Sequence, residues 1–258
     1  MKKFLIVAFA AILCMPLFAQ GKLFVVLELM HVDNEQEMDY METESFWKKI
    51  HQKRLESGDI IGWDLWALLP GGEDQGYQYA TATLFDSAEK MFGDSNLWKR
   101  AKEAYPNMSD EDLSKKMLSA AKSRDLAVRI FMEEIASTKG DFDMKLGTVA
   151  NMDFMKVDMG NYDAYEKAEM EVFQPLHQKM VDSGSKGYWG LLRFMVPIGS
   201  DTYASHITVN MFENVQKAIS QGGPNMELPD SQQKAIQDGI KTRDMKFTYM
   251  ATLIDMVR

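Results

Sequence analysis

The stretch IHQKRLESGDIIGW at 50–63 returns as LHQKMVDSGSKGYW at 176–189. Three landmarks keep their register between the two stretches, because a His, a Gly and a Trp each recur 126 residues later. In both, apolar residues at helical spacing run into a Ser-Gly pair, which is typical of a helix that ends at a glycine. The repetition therefore predicts one helix, its glycine stop and a following strand, used twice.

The repeat extends outward from this unit in both directions. Further matching segments follow one another in the same order in the two halves: MHVD (30–33) with MKVD (155–158), ATLFDSAEK (82–90) with VNMFENVQK (209–217), and AKSRDL (121–126) with IKTRDM (240–245). Matches that keep one unbroken order indicate a duplicated domain. The junction is expected near STKGDFDMKLG at 137–147.

Each half shows the same order of hydrophobic periodicities. Strand-like runs and helical patterns alternate as β-α-β-β-α-β, which is the order of the ferredoxin-like split βαβ unit. We therefore predict an α+β protein with two tandem ferredoxin-like βαββαβ domains, at 20–140 and 141–258. Their sheets are expected to pack sheet to sheet, as an internal pseudo-dimeric α/β barrel.

With this element order and duplication over nearly all of 23–257, the chain resembles the dimeric α/β-barrel superfamily in a tandem-fused form. That superfamily includes antibiotic-biosynthesis-type monooxygenases, stress-responsive barrel proteins and haem-binding chlorite dismutase-like proteins. The resemblance implies the fold, and it leaves the activity open.

The first residues have the layout of a secretory signal peptide, predicted over 1–19. Lys2 and Lys3 precede an apolar run, and Ala19 is a small residue at the expected cleavage site. A lipoprotein alternative would place Cys14 at the cut, but Leu13 is bulky where a small residue is expected. We therefore expect an exported protein, periplasmic or secreted. Because Cys14 is the single cysteine, the cleaved chain would have no disulfide.

The charge excludes one class of partner. The chain has a net charge of −9, which becomes −11 once Lys2 and Lys3 are removed. An acidic protein without a basic stripe is a poor ligand for nucleic acid. The apolar run is too short for a retained membrane span, so no span is expected after cleavage. Assembly into a homo-oligomer stays open.

His51 and His177 are candidates because both copies have one. In the chlorite dismutase-like proteins, a helix histidine is the axial haem ligand and an arginine on a following strand lies over the other haem face. The resemblance thus makes haem a candidate cofactor, with His177 as the candidate ligand and Arg193 as the candidate for that arginine, while the sequence itself leaves the cofactor unknown. The alternative is a helix-edge histidine bonded to backbone.

KSRD at 122–125 and KTRD at 241–244 form the strongest polar repeat. Each precedes the last predicted strand of its copy. Basic residues at a helix end complement the helix dipole, and Asp can bond free backbone groups in a turn. We therefore assign these residues a structural role in the turn.

The strands alternate between an apolar and a polar face. We expect the apolar face to pack on the helices and the polar face to turn away from them. In the ferredoxin-like order the first and third strands are neighbours, so Asp153 and His206 would share the polar face of the second copy. Glu28 and Tyr79 are their matches in the first copy. A closed barrel would enclose these groups, which then need partners, water or a ligand.

The second copy is the preferred site because it alone combines Asp153, His177, Arg193 and His206. The first copy has Trp66 at the position assigned to Arg193. We predict a protein that binds a small, partly apolar molecule, with no defined reaction. One alternative is an oxidative enzyme, haem-dependent or cofactor-free, of monooxygenase or chlorite dismutase type. The other is a structural or partner-binding exported protein.

Overall fold

The computed structural model of the chain describes residues 21–69, 75–94, 96–119, 122–220 and 228–258. The predicted signal peptide lies outside the described residues. Eight antiparallel strands close into a barrel. The strands are β1 Phe24–His31, β2 Gly62–Leu69, β3 Tyr79–Phe85, β4 Asp125–Ser137, β5 Val149–Lys156, β6 Tyr188–Val196, β7 His206–Phe212 and β8 Asp244–Val257.

Helices cover the outside of the barrel. They are α1 Glu37–Glu56, α2 Ala88–Phe92, α3 Leu97–Ala104, α4 Asp110–Ser119, α5 Tyr162–Ala168, α6 Gln174–Asp182, α7 Val215–Ile219 and α8 Asp230–Ile240. A π-helical turn, Glu169–Phe173, joins α5 to α6. We call the elements β1–β4 with α1–α4 the first copy, and β5–β8 with α5–α8 the second copy. The domain limits at 140 and 141 fall in the connection between the copies and stay a prediction.

Each copy forms one four-stranded sheet in the ferredoxin-like order, and the two sheets join edge to edge. The order around the barrel is β4-β1-β3-β2 for the first copy and β8-β5-β7-β6 for the second. Two seams close it: β2 pairs with β8, and β4 pairs with β6. The prediction of an α+β, pseudo-dimeric α/β barrel is confirmed.

The prediction of which strand face meets the helices is wrong. One cluster of buried apolar side chains draws on all eight strands and, among the described residues, on no helix, so it fills the barrel interior. Val25, Leu27 and Leu29 of β1 belong to it. An eight-stranded barrel has an interior just wide enough to be filled by side chains, and that space excludes water fully. The most apolar face therefore turns inward, and the polar face lies under the helices.

The repeated helix end is the same in both copies. Gly58 and Gly184 both have a φ of +72°, a left-handed conformation that glycine adopts without strain. The amide after each glycine closes the turn, since Asp59 N–H donates to the Arg54 carbonyl at 2.9 Å and Ser185 N–H donates to the Met180 carbonyl at 3.0 Å. The glycine stops predicted from the sequence are confirmed.

Among the described residues, no helix is both long enough and apolar enough to cross a membrane.

Candidate ligand-binding site

A cavity of about 380 Å³ lies between the outer face of the first-copy sheet and its helices. We call it the first-copy cavity. Its walls come from three sources: sheet residues such as Val26 and Thr83, α1 residues such as Trp47, and Met91 and Leu97 from the helices that follow β3. Polar and apolar groups alternate along these walls, because the sheet presents its polar face here.

Two glutamates line the first-copy cavity, and each has an arginine of its own. Glu28 accepts a hydrogen bond from Arg129 Nε at 2.6 Å. Glu44, which is 2% exposed, forms an ion pair with Arg124. Burial nevertheless raises the pKa of Glu44 to about 7. Both carboxylates are therefore engaged within the protein.

His51 lies flat against Trp63 in the same cavity wall, with ring centroids 5.0 Å apart and planes 18° from parallel. Arg54 Nη1 donates to its Nδ1 at 3.1 Å. Burial lowers the pKa of His51 well below its ordinary value, and the two nearby arginines lower it further, so the ring is neutral. A neutral imidazole that accepts at Nδ1 carries its proton on Nε2.

Arg54 is a buried cation that lines the first-copy cavity and is only 7% exposed. Burial lowers its pKa, but a guanidinium stays charged in proteins. Among the described residues, no carboxylate lies within ion-pair distance of it, and its Nε is buried without an acceptor. Arg54 Nη1 has an acceptor, which is Nδ1 of the His51 ring.

The second copy repeats the stacked pair and closes it with a different cation. His177 lies against Trp189, with centroids 5.0 Å apart and planes 19° from parallel. Its Nδ1 accepts from Lys186 Nζ at 2.8 Å, and burial lowers the pKa of His177 to about 3. Lys186 also donates to Asn210 Oδ1 at 2.6 Å, and Asn210 Nδ2 donates to Asp153 at 2.9 Å. The cation is thus linked to a carboxylate inside the protein.

The two copies exchange a cation and an apolar residue between matched positions. Met180 occupies the helix position matched to Arg54, 126 residues later. Ile60, which is buried in the first copy, occupies the position matched to Lys186. The scaffold is the same, but the histidine receives its proton donor from the helix in one copy and from the loop before β6 in the other.

Asp153 and His206 lie on the same side of neighbouring strands, but that side faces the helices, and the two residues belong to separate hydrogen-bond groups. Asp153 accepts from Thr208 at 3.0 Å and from Thr248 at 2.7 Å, and burial raises its pKa. His206 is fully buried and its Nε2 lies 3.1 Å from Glu166 Oε1. The partner of this imidazole is therefore Glu166 and not Asp153.

Arg193 lies in an ion-pair chain that crosses the β4–β6 seam. Its Nη1 donates to Glu166 and its Nε donates to Glu133, both at 2.9 Å. Burial alone would raise the pKa of Glu166, but the bonds from His206 and Arg193 outweigh burial and lower it. Of the six predicted site residues, Glu28 lines the first-copy cavity, and Tyr79, Asp153, His177, Arg193 and His206 do not.

The assignment of Trp66 to the position of Arg193 is wrong by one residue. Ala67 pairs with Tyr79 on the neighbouring strand as Arg193 pairs with His206, so Ala67 is the match. Trp66 belongs to the cluster inside the barrel. Tyr79 packs against Tyr40, with ring centroids 4.6 Å apart.

The KSRD and KTRD arginines reach a buried cluster that the sequence did not reveal. Arg124 pairs with Glu44 and lies 5.9 Å above the Tyr40 ring. In the second copy, Arg243 pairs with Glu169 at 3.3 Å and lies 5.9 Å above the Tyr165 ring. Arg243 also donates to the Gly239 carbonyl near the end of α8, which is the helix-end role that the sequence predicts.

The signal for this cluster was hidden by a shift of register. Glu44 and Glu169 are 125 residues apart, whereas His51 and His177 are 126 apart. The π-helical turn Glu169–Phe173 absorbs the extra residue between them. Arg54, the other residue that sequence reasoning missed, could have been noticed from its i,i+3 spacing to His51 on the predicted helix.

Haem ligation does not fit either helix histidine. A ligating histidine has a free lone pair toward the metal and usually donates its other N–H to an acceptor. His51 and His177 show the reverse arrangement, because a cation donates to Nδ1 and the proton is left on Nε2. Within the described parts of the chain, no group of three or more His, Cys, Asp or Glu side chains is placed to hold a metal ion.

No protein-family model and no curated protein sequence matches the chain. Solved structures match its fold. A candidate monooxygenase from Lactobacillus acidophilus aligns with a TM-score of 0.54 and 10% identity, over 92% of this chain and 96% of that one. An anthrone oxidase-like protein aligns with a TM-score of 0.54 and 10% identity, over 93% of this chain and 94% of that one.

A candidate chlorite dismutase aligns with a TM-score of 0.50 and 7% identity, over 91% of this chain and 95% of that one. These neighbours are dimeric α/β-barrel proteins of the monooxygenase-like and chlorite dismutase-like kinds. At such low identity, the likeness establishes the fold alone.

Proposed function

We propose that this chain, which has the dimeric α/β-barrel fold, binds a small, partly apolar molecule in the first-copy cavity. One observation carries the proposal: the cavity of about 380 Å³ between α1 and the sheet. Its volume lies within the range of about 300–1,000 Å³ for small-molecule sites. Such sites combine apolar surface with convergent polar groups, and this cavity has both, with polar and charged side chains as half of its lining.

The contrast between the copies supports the choice of the first copy. Groups that occur in both copies serve the scaffold, because both sheets need them. The stacked His and Trp, and the Tyr-Glu-Arg cluster, are of this kind. Arg54 and the cavity belong to the first copy, whereas in the second copy Lys186 and Asn210 join the matched histidine to Asp153.

Binding is favoured over catalysis by the same contrast. Glu44 would be the candidate acid or base in the cavity, because its pKa of about 7 suits proton transfer at neutral pH. Glu169 has the same pKa of about 7 and the same ion pair with an arginine. A feature repeated in this way is explained by structure, and neither helix histidine fits haem ligation.

A neutral aromatic probe tests the proposal. Trp47 and Trp63 line the cavity, so 2-naphthylmethanol titrated into the protein should quench tryptophan fluorescence in a saturable way. Val26→Trp and Met91→Trp, on opposite walls, should fill the cavity and weaken binding at least about tenfold, the loss of roughly 1.4 kcal/mol. Leu126→Trp, at an exposed position outside the cavity, is the matched control.

The proposal fails if the probe does not bind, or if it binds the two cavity-filling variants as well as it binds the Leu126→Trp control. Circular dichroism and thermal unfolding of all three variants show whether the fold is kept.

We also propose export, on the basic start, apolar run and small residue of the first 19 residues. Mass spectrometry of the protein from its native host should give a mature chain that begins at or near Gln20. A retained Met1 would contradict this.

A further inference from the structure

Arg54 holds a charge that the protein leaves without a counter-ion. It is 7% exposed, and among the described residues no carboxylate lies within ion-pair distance of it. The two carboxylates that act on it from farther away, Asp59 and Glu28, are bound to Arg100 and Arg129. A buried charge is expected to be paired, because desolvation without a partner is costly.

Two N–H groups of residues that line the first-copy cavity also have no acceptor. They are Nε of Arg54 and Nε1 of Trp47, and both are buried. Buried donors in folded proteins are satisfied in the great majority of cases. Both side chains line the same cavity, so a ligand bound there can be a source of acceptors for them. Two donors without acceptors, beside a positive charge without a counter-ion, favour an anion as the ligand.

The second copy shows that this fold does not require an unpaired cation. Met180 occupies the position matched to Arg54, and the cation beside His177 is Lys186, which Asn210 links to Asp153. Scaffold needs therefore do not explain why Arg54 has no counter-ion.

We infer that the first-copy cavity binds an organic monocarboxylate with an apolar body, and that Arg54 is the residue that pairs with its carboxylate. The inference rests on the proposed function, since it names the ligand class of the same cavity. A planar guanidinium offers parallel N–H groups that match the two oxygens of a carboxylate.

The other lining residues determine the apolar body and the total charge of the ligand. Phe85, Phe131 and Leu97 supply apolar contact area for the body. Three arginines and two glutamates line the cavity, so a single negative charge balances it once Glu44 is ionised, above its pKa of about 7. A dianion such as a phosphate monoester would add an unbalanced charge beside Glu28 and Glu44. The site therefore selects a monoanion.

Pairs of probes that differ only in charge test the inference. Benzoate, 2-naphthoate and anthracene-2-carboxylate are titrated into the full protein beside their neutral amides, with tryptophan fluorescence and calorimetry as readouts. We expect at least one acid to bind about tenfold or more tightly than its amide. Arg54→Met, which installs the residue of the matched position, should abolish that preference.

Lys53→Met is the control, because it removes one positive charge from the same helix turn at a residue that pairs with Glu56 and does not line the cavity. It should keep the preference for the acid. Equal binding of acids and amides, with no effect of Arg54→Met, overturns the carboxylate inference and leaves the proposed function intact. No binding of any acid or amide overturns both. If Lys53→Met also abolishes the preference for the acid, the preference comes from the overall charge and not from Arg54. That result would overturn the inference too.

Discussion

The two copies solve one problem, how to hold a neutral histidine against a tryptophan, with two different cations. The stacks have the same geometry, with centroids 5.0 Å apart in both. In the second copy the cation is Lys186, which is joined through Asn210 to Asp153. In the first copy it is Arg54, which has no such link. What the copies share is scaffold, and what only one copy has is the better guide to function.

The difference extends to the space above each sheet. Under its helices, the second copy has a connected set of polar side chains around Asp153. In the first copy, Glu28 occupies the matched position but turns to Arg129 and lines a cavity. A closed network gives stability, whereas an open cavity with an unpaired cation costs stability. Three predictions test this contrast.

Removal of the second-copy cation should have the largest effect. Lys186→Met leaves the buried Asp153 without its nearby positive charge, so the free energy of unfolding should fall by about 2–4 kcal/mol. Urea unfolding at pH 7 measures it. Asp153→Asn in the same chain should recover part of the loss, because the carboxylate is then gone, and the double-mutant cycle should give a coupling of about 1 kcal/mol or more. A Lys186→Met variant as stable as the parent protein would contradict the closed network.

The buried glutamates should make stability depend on pH equally in both copies. The folded pKa values of Glu44 and Glu169 are about 7, raised by burial above the ordinary 4.5. Between these values the unfolded chain loses the proton that the folded chain keeps. The contribution of these two glutamates to stability should therefore fall from pH 4.5 to pH 7, by on the order of 2 kcal/mol for each. The buried neutral histidines His51 and His177, whose pKa values are lowered, contribute a change of the opposite sign.

Glu44→Gln and Glu169→Gln should each remove about half of the glutamate contribution to the pH slope, measured by urea unfolding at pH 5 and pH 7.5. Glu56→Gln, at an exposed position of α1, is the control and should leave the slope unchanged. A slope that depends on one copy alone would show that the two clusters are not equivalent.

Removal of the first-copy cation should have the smallest effect and the opposite sign. Arg54→Met takes an unpaired charge out of a buried position, so the ligand-free protein should gain about 1 kcal/mol. The corresponding rise in Tm is about 2–4 °C for a chain of this size, measured by calorimetry beside Lys53→Met, which should not change it. A loss of stability in Arg54→Met would mean that its bond to His51 has a structural role that outweighs the buried charge.

The fold could be predicted because the duplicated residues occupy positions that require one particular backbone conformation. A glycine after a helix and a tryptophan on the next strand recur in register, and the structure gives Gly58 and Gly184 the same φ. The direction of the strand faces could not be predicted in this way. A period of two separates Leu27 from Glu28, but it does not say whether the helices or the barrel interior take the apolar side. Closure decides that, and closure depends on pairings between residues almost two hundred positions apart.

The site was harder to predict because its signal is a difference between the copies. His177 and His206 attract notice as chemical groups, yet both are fully engaged by Lys186 and Glu166. Arg54 reads as an ordinary charged residue near a helix end, where basic side chains are common. Its meaning depends on the missing counter-ion, and that can be seen only when the neighbouring carboxylates and their partners are placed in space.

The two seams of the barrel have a consequence for the order of folding. The β2–β8 seam joins Trp63 to Val257, across most of the described chain. Such pairings give a high contact order, so closure is expected to be slow, on the scale of milliseconds to seconds. Until β8 and β6 arrive, the first copy exposes β2 and β4 as bare sheet edges, which readily pair with other chains. Fusing the copies in one chain makes this closure intramolecular, and its rate independent of how dilute the protein is.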